Sequence, residues 1–305
     1  MSAVIERNSG PPSTSTLDTY GYAAIFLTVG IWAGFALSIR YIGSSALAPA
    51  DAALIRFGVP AILLLPLLRS RWAAIRNVDP RLALMIVLGA GLPFFFLAAA
   101  GGASTSAAHV GALIAGTTPL SVVLISSLIE RRIPKGTRWS ALALVIGGAA
   151  TLALAAPVGG SFARGVPLLL AASLCWGIYT IGLRRAGLDA VSATLLLNVP
   201  SVVVLLGLIL SGVVETHVGA FGLAEAAPFL LAQGLGAGLV ASLTYVISIR
   251  RLGAERSALI GSLAPALASL VAVPLLGETL SPQVIAGVVA ITCGVVLANR
   301  RHIRT

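Results

Sequence analysis

The sequence predicts an all-α integral membrane protein of ten transmembrane helices, arranged as two inverted five-helix repeats. Three observations predict it: apolar runs of spanning length fill the chain, basic residues alternate from side to side between them, and motifs of the first half recur in the second. The residues are 58% hydrophobic and 10% charged, whereas an ordinary soluble domain carries roughly 25% charged residues. A water-soluble globule is excluded.

A span needs about 20 apolar residues. Runs bounded by charge, Pro and Gly place spans at residues 20–41, 50–69, 81–101, 105–129, 137–156, 165–184, 190–212, 227–249, 255–276 and 281–299. The first repeat then covers 20–156 and the second 165–299, with tails at 1–19 and 300–305. Residues 1–19 carry no basic n-region, and the apolar run that follows is too long for a signal h-region, so the first span is expected to stay in the mature chain.

Basic residues near span ends are retained on the cytoplasmic side. Arg7, the Arg69–Arg81 group, the Arg131–Arg138 group, Arg184 with Arg185, Arg250 with Arg251 and Arg256, and Arg300, Arg301 and Arg304 all fall on one side. Arg40 and Arg164 fall on the other, and Arg56 lies inside a span. Both termini are therefore expected in the cytoplasm, in the inner (plasma) membrane of a bacterium. The net charge of +10 is explained by this topology, so no nucleic-acid partner is expected.

The repeat is legible in pairs. Ile31-Trp32-Ala33-Gly34 matches Cys175-Trp176-Gly177, and Arg40 and Arg184 each follow their Trp by eight residues. Ala108-x3-Ala112-Leu113-Ile114-x4-Pro119 matches Ala254-x3-Ala258-Leu259-Ile260-x4-Pro265, followed by Glu130 and Glu278 respectively. Five is odd, so the second unit enters the membrane from the opposite face, the inverted-repeat plan of many secondary transporters.

These motifs, with Leu54-Ile55-Arg56-Phe57 and Leu275-Leu276-Gly277-Glu278-Thr279-Leu280-Ser281, resemble the EamA type of the drug/metabolite transporter superfamily, across essentially the whole chain. The resemblance implies an exporter of small metabolites. In size and span number the chain is similar to the YddG group, which implies export of aromatic and other amino acids.

Arg56 is a cation at membrane depth, which is costly unless it pairs or faces water. It reads either as an attractor of a substrate carboxylate or as a structural residue bonded to neighbouring carbonyls or to Asp51. His109 reads as a proton-linked gate or as a solvated interface residue. Trp32, Trp176 and Tyr179 offer faces to an apolar, aromatic or cationic group, or fill space between helices. Asn198, Gln233 and Tyr245 line a cavity or bond across helices. Pro119 and Pro265 remove backbone donors from mid-helix and so read as symmetric hinges or bends. Gly30-x3-Gly34 and Gly234-x3-Gly238 permit close helix approach, within one bundle more readily than across a homodimer, so a monomer is expected.

No span carries a central Asp or Glu, which argues against the buried-carboxylate proton antiport of small four-helix relatives, and leaves facilitated diffusion or coupling through His109 or an end-of-span acid. No catalytic residue, cofactor or metal is expected, since HExxH, GxSxG, GxxxxGK[ST] and clustered His are all missing. An integral-membrane enzyme or the membrane subunit of a pump are the readings from other classes. Cys175 and Cys293 read as small packing residues.

Overall fold

The structure is a computed structural model that describes residues 14–131, 139–154, 162–252, 257, 260–261 and 263–299. All regular elements among these residues are helical. Seven helices are long and apolar enough to cross a membrane, and three shorter apolar ones accompany them. In chain order they are α1 (Thr14–Ile42), α2 (Pro49–Arg76), α3 (Pro80–Ala103), α4 (Ala107–Ile129), α5 (Trp139–Leu154), α6 (Phe162–Ala186), α7 (Ala190–Leu210), α8 (Leu223–Ser248), α9 (Ala264–Leu276) and α10 (Pro282–Asn299).

Their ends follow capping chemistry. The Asp79 carboxylate accepts the Arg81 N–H at 2.8 Å to start α3, and Asp189 accepts from Val191 and Ser192 to start α7. Asp51 in the first turn of α2 accepts the Ala48 N–H at 2.8 Å and, from the α7–α8 connection, the His217 N–H and the Thr216 hydroxyl. Asp51 is thereby occupied and does not serve Arg56. A left-handed residue ends both α4 and α9: Arg131 at φ 52° and Gly277 at φ 65°.

Several boundaries differ from expectation. Helix α1 begins at Thr14, inside the expected 1–19 tail, and α2 continues past residue 69 through a 3₁₀ turn at Leu65–Leu67 to Arg76. Pro66 falls in that tighter turn, where the missing N–H leaves no α-helical carbonyl stranded. Helix α8 starts at Leu223, four residues early, because the Glu225 carboxylate accepts the Gly222 N–H at 2.9 Å. The Ala254–Ala258 motif apart from Ser257, the basic residues 132–138, Arg256 and both ends of the chain lie outside the described residues.

The helices pack as two interlocked sets. Helix α3 lies on α6 and α8 on α1; α4 lies on α6 and α9 on α1; α2 lies on α8 and α7 on α3. Each pair becomes its companion when five is added to or taken from both numbers, and α2·α7, α4·α9 and α5·α10 map onto themselves. Small residues set the crossings: a Cβ on Gly89 would sit 2.5 Å from the Tyr179 nitrogen, and one on Gly238 2.6 Å from the Arg56 carbonyl oxygen. Gly234 and Gly238 thus serve close approach as expected. Gly30 and Gly34 do not, since nothing lies within 4 Å of a Cβ on either; the α1 face they occupy is not at a tight crossing.

The exchange is not complete. Helix α1 also packs on α4 and on α3, and no α6·α9 or α6·α8 contact of comparable extent exists among the described residues. The α1·α3 contact is at the Arg40 end of α1, where a Cβ on Gly102 would meet Ile39 at 2.7 Å and one on Gly43 would meet Ala103 at 3.3 Å.

Candidate functional site

A cavity opens where α1, α2, α3, α4, α6, α8 and α9 converge. It holds about 580 Å³ of non-atom space, part of it open to solvent. Trp32 and Phe35 of α1, Arg56 of α2, Phe94 of α3, Trp176 of α6 and Pro265 of α9 line it. A second arm shares Trp32, Arg56 and Trp176 and runs past Tyr179, Tyr245 and Ser242 to Leu183 and Val246. It thus extends toward the Arg184 end of α6, away from the Arg40 end of α1.

The aromatic lining follows the exchange of helices. Trp32 packs on Tyr245 across α1 and α8, with centroids 5.0 Å apart, and Trp176 packs on Phe94 across α6 and α3 at 5.1 Å. Tyr179 stands one turn along α6 from Trp176, 5.0 Å between centroids. Such pairs hold their rings beyond what area burial alone would give, by about 0.5–1.5 kcal/mol each.

Arg56 is 5% exposed. Its guanidinium carbon lies 5.0 Å from the Phe35 ring centroid and 5.7 Å from that of Phe57. Its Nη1 donates to Gln233 Oε1 at 3.3 Å, Gln233 Nε2 donates to Ser38 Oγ at 2.8 Å, and Ser38 Oγ donates to the Phe35 carbonyl at 2.8 Å. The chain of bonds fixes α2 to α8 and α1, yet Arg56 Nε has no partner. Gln233 sits in a π-helical stretch, Leu230–Val240, the kind of irregularity that often re-aims side chains at functional sites.

Two sequence candidates stand elsewhere. His109 is buried, with Nδ1 2.6 Å from Ser106 Oγ and Nε2 3.2 Å from the Leu152 carbonyl, so it ties the start of α4 to α5 and does not line the cavity. Asn198 is buried in α7 and donates to the Thr194 carbonyl of its own helix at 2.7 Å.

Both prolines stand where a regular α-helical stretch begins. Pro119 is in the first turn of the α-helical half of α4, after a π-helical stretch at Ala112–Gly116, and Pro265 is in the first turn of α9. A missing donor costs least there. Thr118 Oγ1 donates to the Ile114 carbonyl at 2.8 Å, and Thr117 Oγ1 to that of Leu113, serving carbonyls in the broken stretch. The breaks lie back to back, since a Cβ on Gly111 would sit 3.2 Å from the Pro265 Cα.

Sequence reasoning missed Phe35, Phe94 and Ser38. Phe35 had a signal: it follows Trp32 by three residues and shares its helix face. Phe94 stands in a Phe94-Phe95-Phe96 run whose faces composition does not distinguish.

The bundle thus holds an aromatic and cationic cavity among helices of spanning length. Residues 163–300 match the EamA-like transporter family. The chain is similar to the threonine/homoserine exporter RhtA of Escherichia coli K12 and to that of Escherichia coli O157:H7, 31% identical in each case over 195 residues. The match covers 61% of this chain and 61% of each relative's length. A crystal structure superposes on 95% of this chain and all of its own with a TM-score of 0.61 at 22% identity, a shared fold. The chain thus carries several helices of spanning length and apolarity, and the family and relatives it resembles are named as transporters.

Proposed function

We propose that the chain exports small metabolites by alternating access, with aromatic and other amino acids as its substrates, and by facilitated diffusion. The observation that carries this is Arg56: a buried guanidinium with an unpartnered Nε, opening onto an aromatic cavity at the meeting of the two helix sets. A substrate carboxylate pairs with the guanidinium, and Trp32, Trp176, Tyr179 and Tyr245 take the side chain. Gln233 orients Arg56, while the breaks at Pro119 and Pro265 allow α4 and α9 to bend. RhtA, an amino-acid exporter by name, supports the substrate class.

In this reading α1–α5 and α6–α10 are the two inverted repeats, spanning 20–156 and 165–299, and ten crossings leave both termini in the cytoplasm of a bacterial inner-membrane protein. The symmetric helix contacts support it. The Arg40 end of α1 then faces outward and is closed, while the second cavity arm leads inward. One chain suffices, so a monomer is proposed. The bonds at both ring nitrogens of His109 favour the uncoupled mode over proton coupling through it.

The test is uptake of a panel of radiolabelled amino acids into proteoliposomes holding the purified chain, without ATP or ion gradient. Equilibration of one chemical class is expected; silence across the panel in folded protein overturns the reading.

A further inference from the structure

We infer that the cavity selects for net negative charge, so that its preferred substrates are organic monocarboxylates with an apolar or aromatic body, in which the position of an amino acid's ammonium group is neutral. This rests on the carrier reading above and shifts its preferred substrates from amino acids to their monoanionic analogues.

The argument is one of charge balance. Arg56 brings a full positive charge to a buried site whose described lining contains no carboxylate. The nearest sequence candidate, Asp51, is engaged by Ala48, Thr216 and His217. Glu278 is engaged by Arg40 and Ala107, Asp189 by Arg71 and Ser192, and Glu225 by Gly222. Asp79 caps α3, and Glu215 is exposed in the α7–α8 connection.

A buried charge without a counter-ion is expensive, and a ligand that supplies the counter-ion recovers that cost. A monoanion brings the occupied cavity to neutrality. A zwitterion leaves it at net +1, and its ammonium finds only neutral acceptors and ring faces, the Phe35 face being already taken by Arg56. A cation makes the site doubly positive.

The same charge supplies a driving force. A monoanion moving outward without a coupling ion descends an inside-negative potential worth about 2.3 kcal/mol per charge per 100 mV, which converts to about a fifty-fold concentration ratio. Export then needs no ion gradient of its own.

The test compares three probes of one ring size in proteoliposomes of the full chain: phenyllactate (−1), phenylalanine (net 0) and phenylalaninamide (+1), with protein-free vesicles subtracted. A valinomycin–potassium diffusion potential is set in either direction. The expected result is a half-saturation for phenyllactate at least tenfold below that for phenylalanine, no carriage of the amide, and accumulation of phenyllactate approaching fifty-fold at 100 mV, inside positive. Phenylalanine carried as well as or better than phenyllactate overturns the inference and leaves the carrier reading standing. Failure of all three probes in folded protein overturns both.

Discussion

Arg40 Nε lies 3.4 Å from Glu278 Oε1, joining the end of α1 to the α9–α10 connection. The same carboxylate accepts the Ala107 N–H at 3.1 Å, so three elements meet at the Arg40 end of α1, the end that the proposed reading closes. The pair is partly exposed, and such pairs are worth about 0–1 kcal/mol. The seal is therefore shallow, suited to a closure that must open. Arg40→Gln or Glu278→Gln is expected to raise, several-fold, the rate at which an impermeant thiol reagent reaches Val110→Cys from the Arg40 side, in a background lacking Cys175 and Cys293. An unchanged rate would remove the seal from the account.

Acid should act at the same place. Burial pushes the Glu278 carboxyl above its ordinary range, against the opposing pull of the Ala107 N–H and Arg40. As pH falls, Glu278 is therefore neutralised while an ordinary carboxylate is still charged, and the pair is lost. A raised pKa means the folded state holds this proton more tightly than the unfolded state, so this group's contribution to stability is present at low pH and lost as pH rises through the folded pKa. Reagent access to Val110→Cys is expected to increase on mild acidification without a fall in Tm from this site, and to lose that pH dependence in Glu278→Gln.

Gln233 holds Arg56 in place, and a hydrogen bond to a charged group is worth about 1.5–3 kcal/mol. Gln233→Leu is expected to raise the half-saturation for carboxylate substrates by about tenfold or more at unchanged membrane expression. Gln233→Glu supplies an internal counter-ion to Arg56, and is expected to abolish transport while keeping the fold. Substrate kinetics and Tm, read together, check both.

Trp32 and Trp176 occupy companion positions on α1 and α6 and both line the cavity. Replacing either by Ala is expected to weaken uptake of aromatic substrates by about tenfold more than that of small ones, since one ring contact is worth about 0.5–1.5 kcal/mol beyond area burial. Equal loss for all substrates would assign both rings to packing.

The glycines separate crossings from free faces. Gly89→Ala is expected to lower stability by about 1–3 kcal/mol, because its Cβ would meet α6 backbone. Gly30→Ala and Gly34→Ala meet open space and are expected to leave Tm unchanged or raised. Thermal unfolding in detergent compares the three.

The helical class was legible because spanning length and sparse charge leave little choice. The positions of Trp32 and Trp176 on the cavity were legible through the matching motifs around them. Side-chain direction was not: a membrane helix is apolar on every face, so nothing in periodicity told Phe94 from Phe96 or showed that Gly30 faces open space. Hydrogen-bond partners are hidden for the same reason: His109 reads as a gate or as a solvated interface residue in the sequence, because its partners, Ser106 and the Leu152 carbonyl, include a backbone group forty-three residues away.

The central claim is that the Arg56 cavity is the substrate site of a self-sufficient carrier. Counterflow tests it most directly: proteoliposomes preloaded with unlabelled substrate are diluted into labelled substrate, without ATP or ion gradient. The account predicts a transient overshoot of label in the wild type that disappears in Arg56→Gln protein of unchanged fold. No overshoot in the wild type, or an overshoot that survives Arg56→Gln, would contradict it.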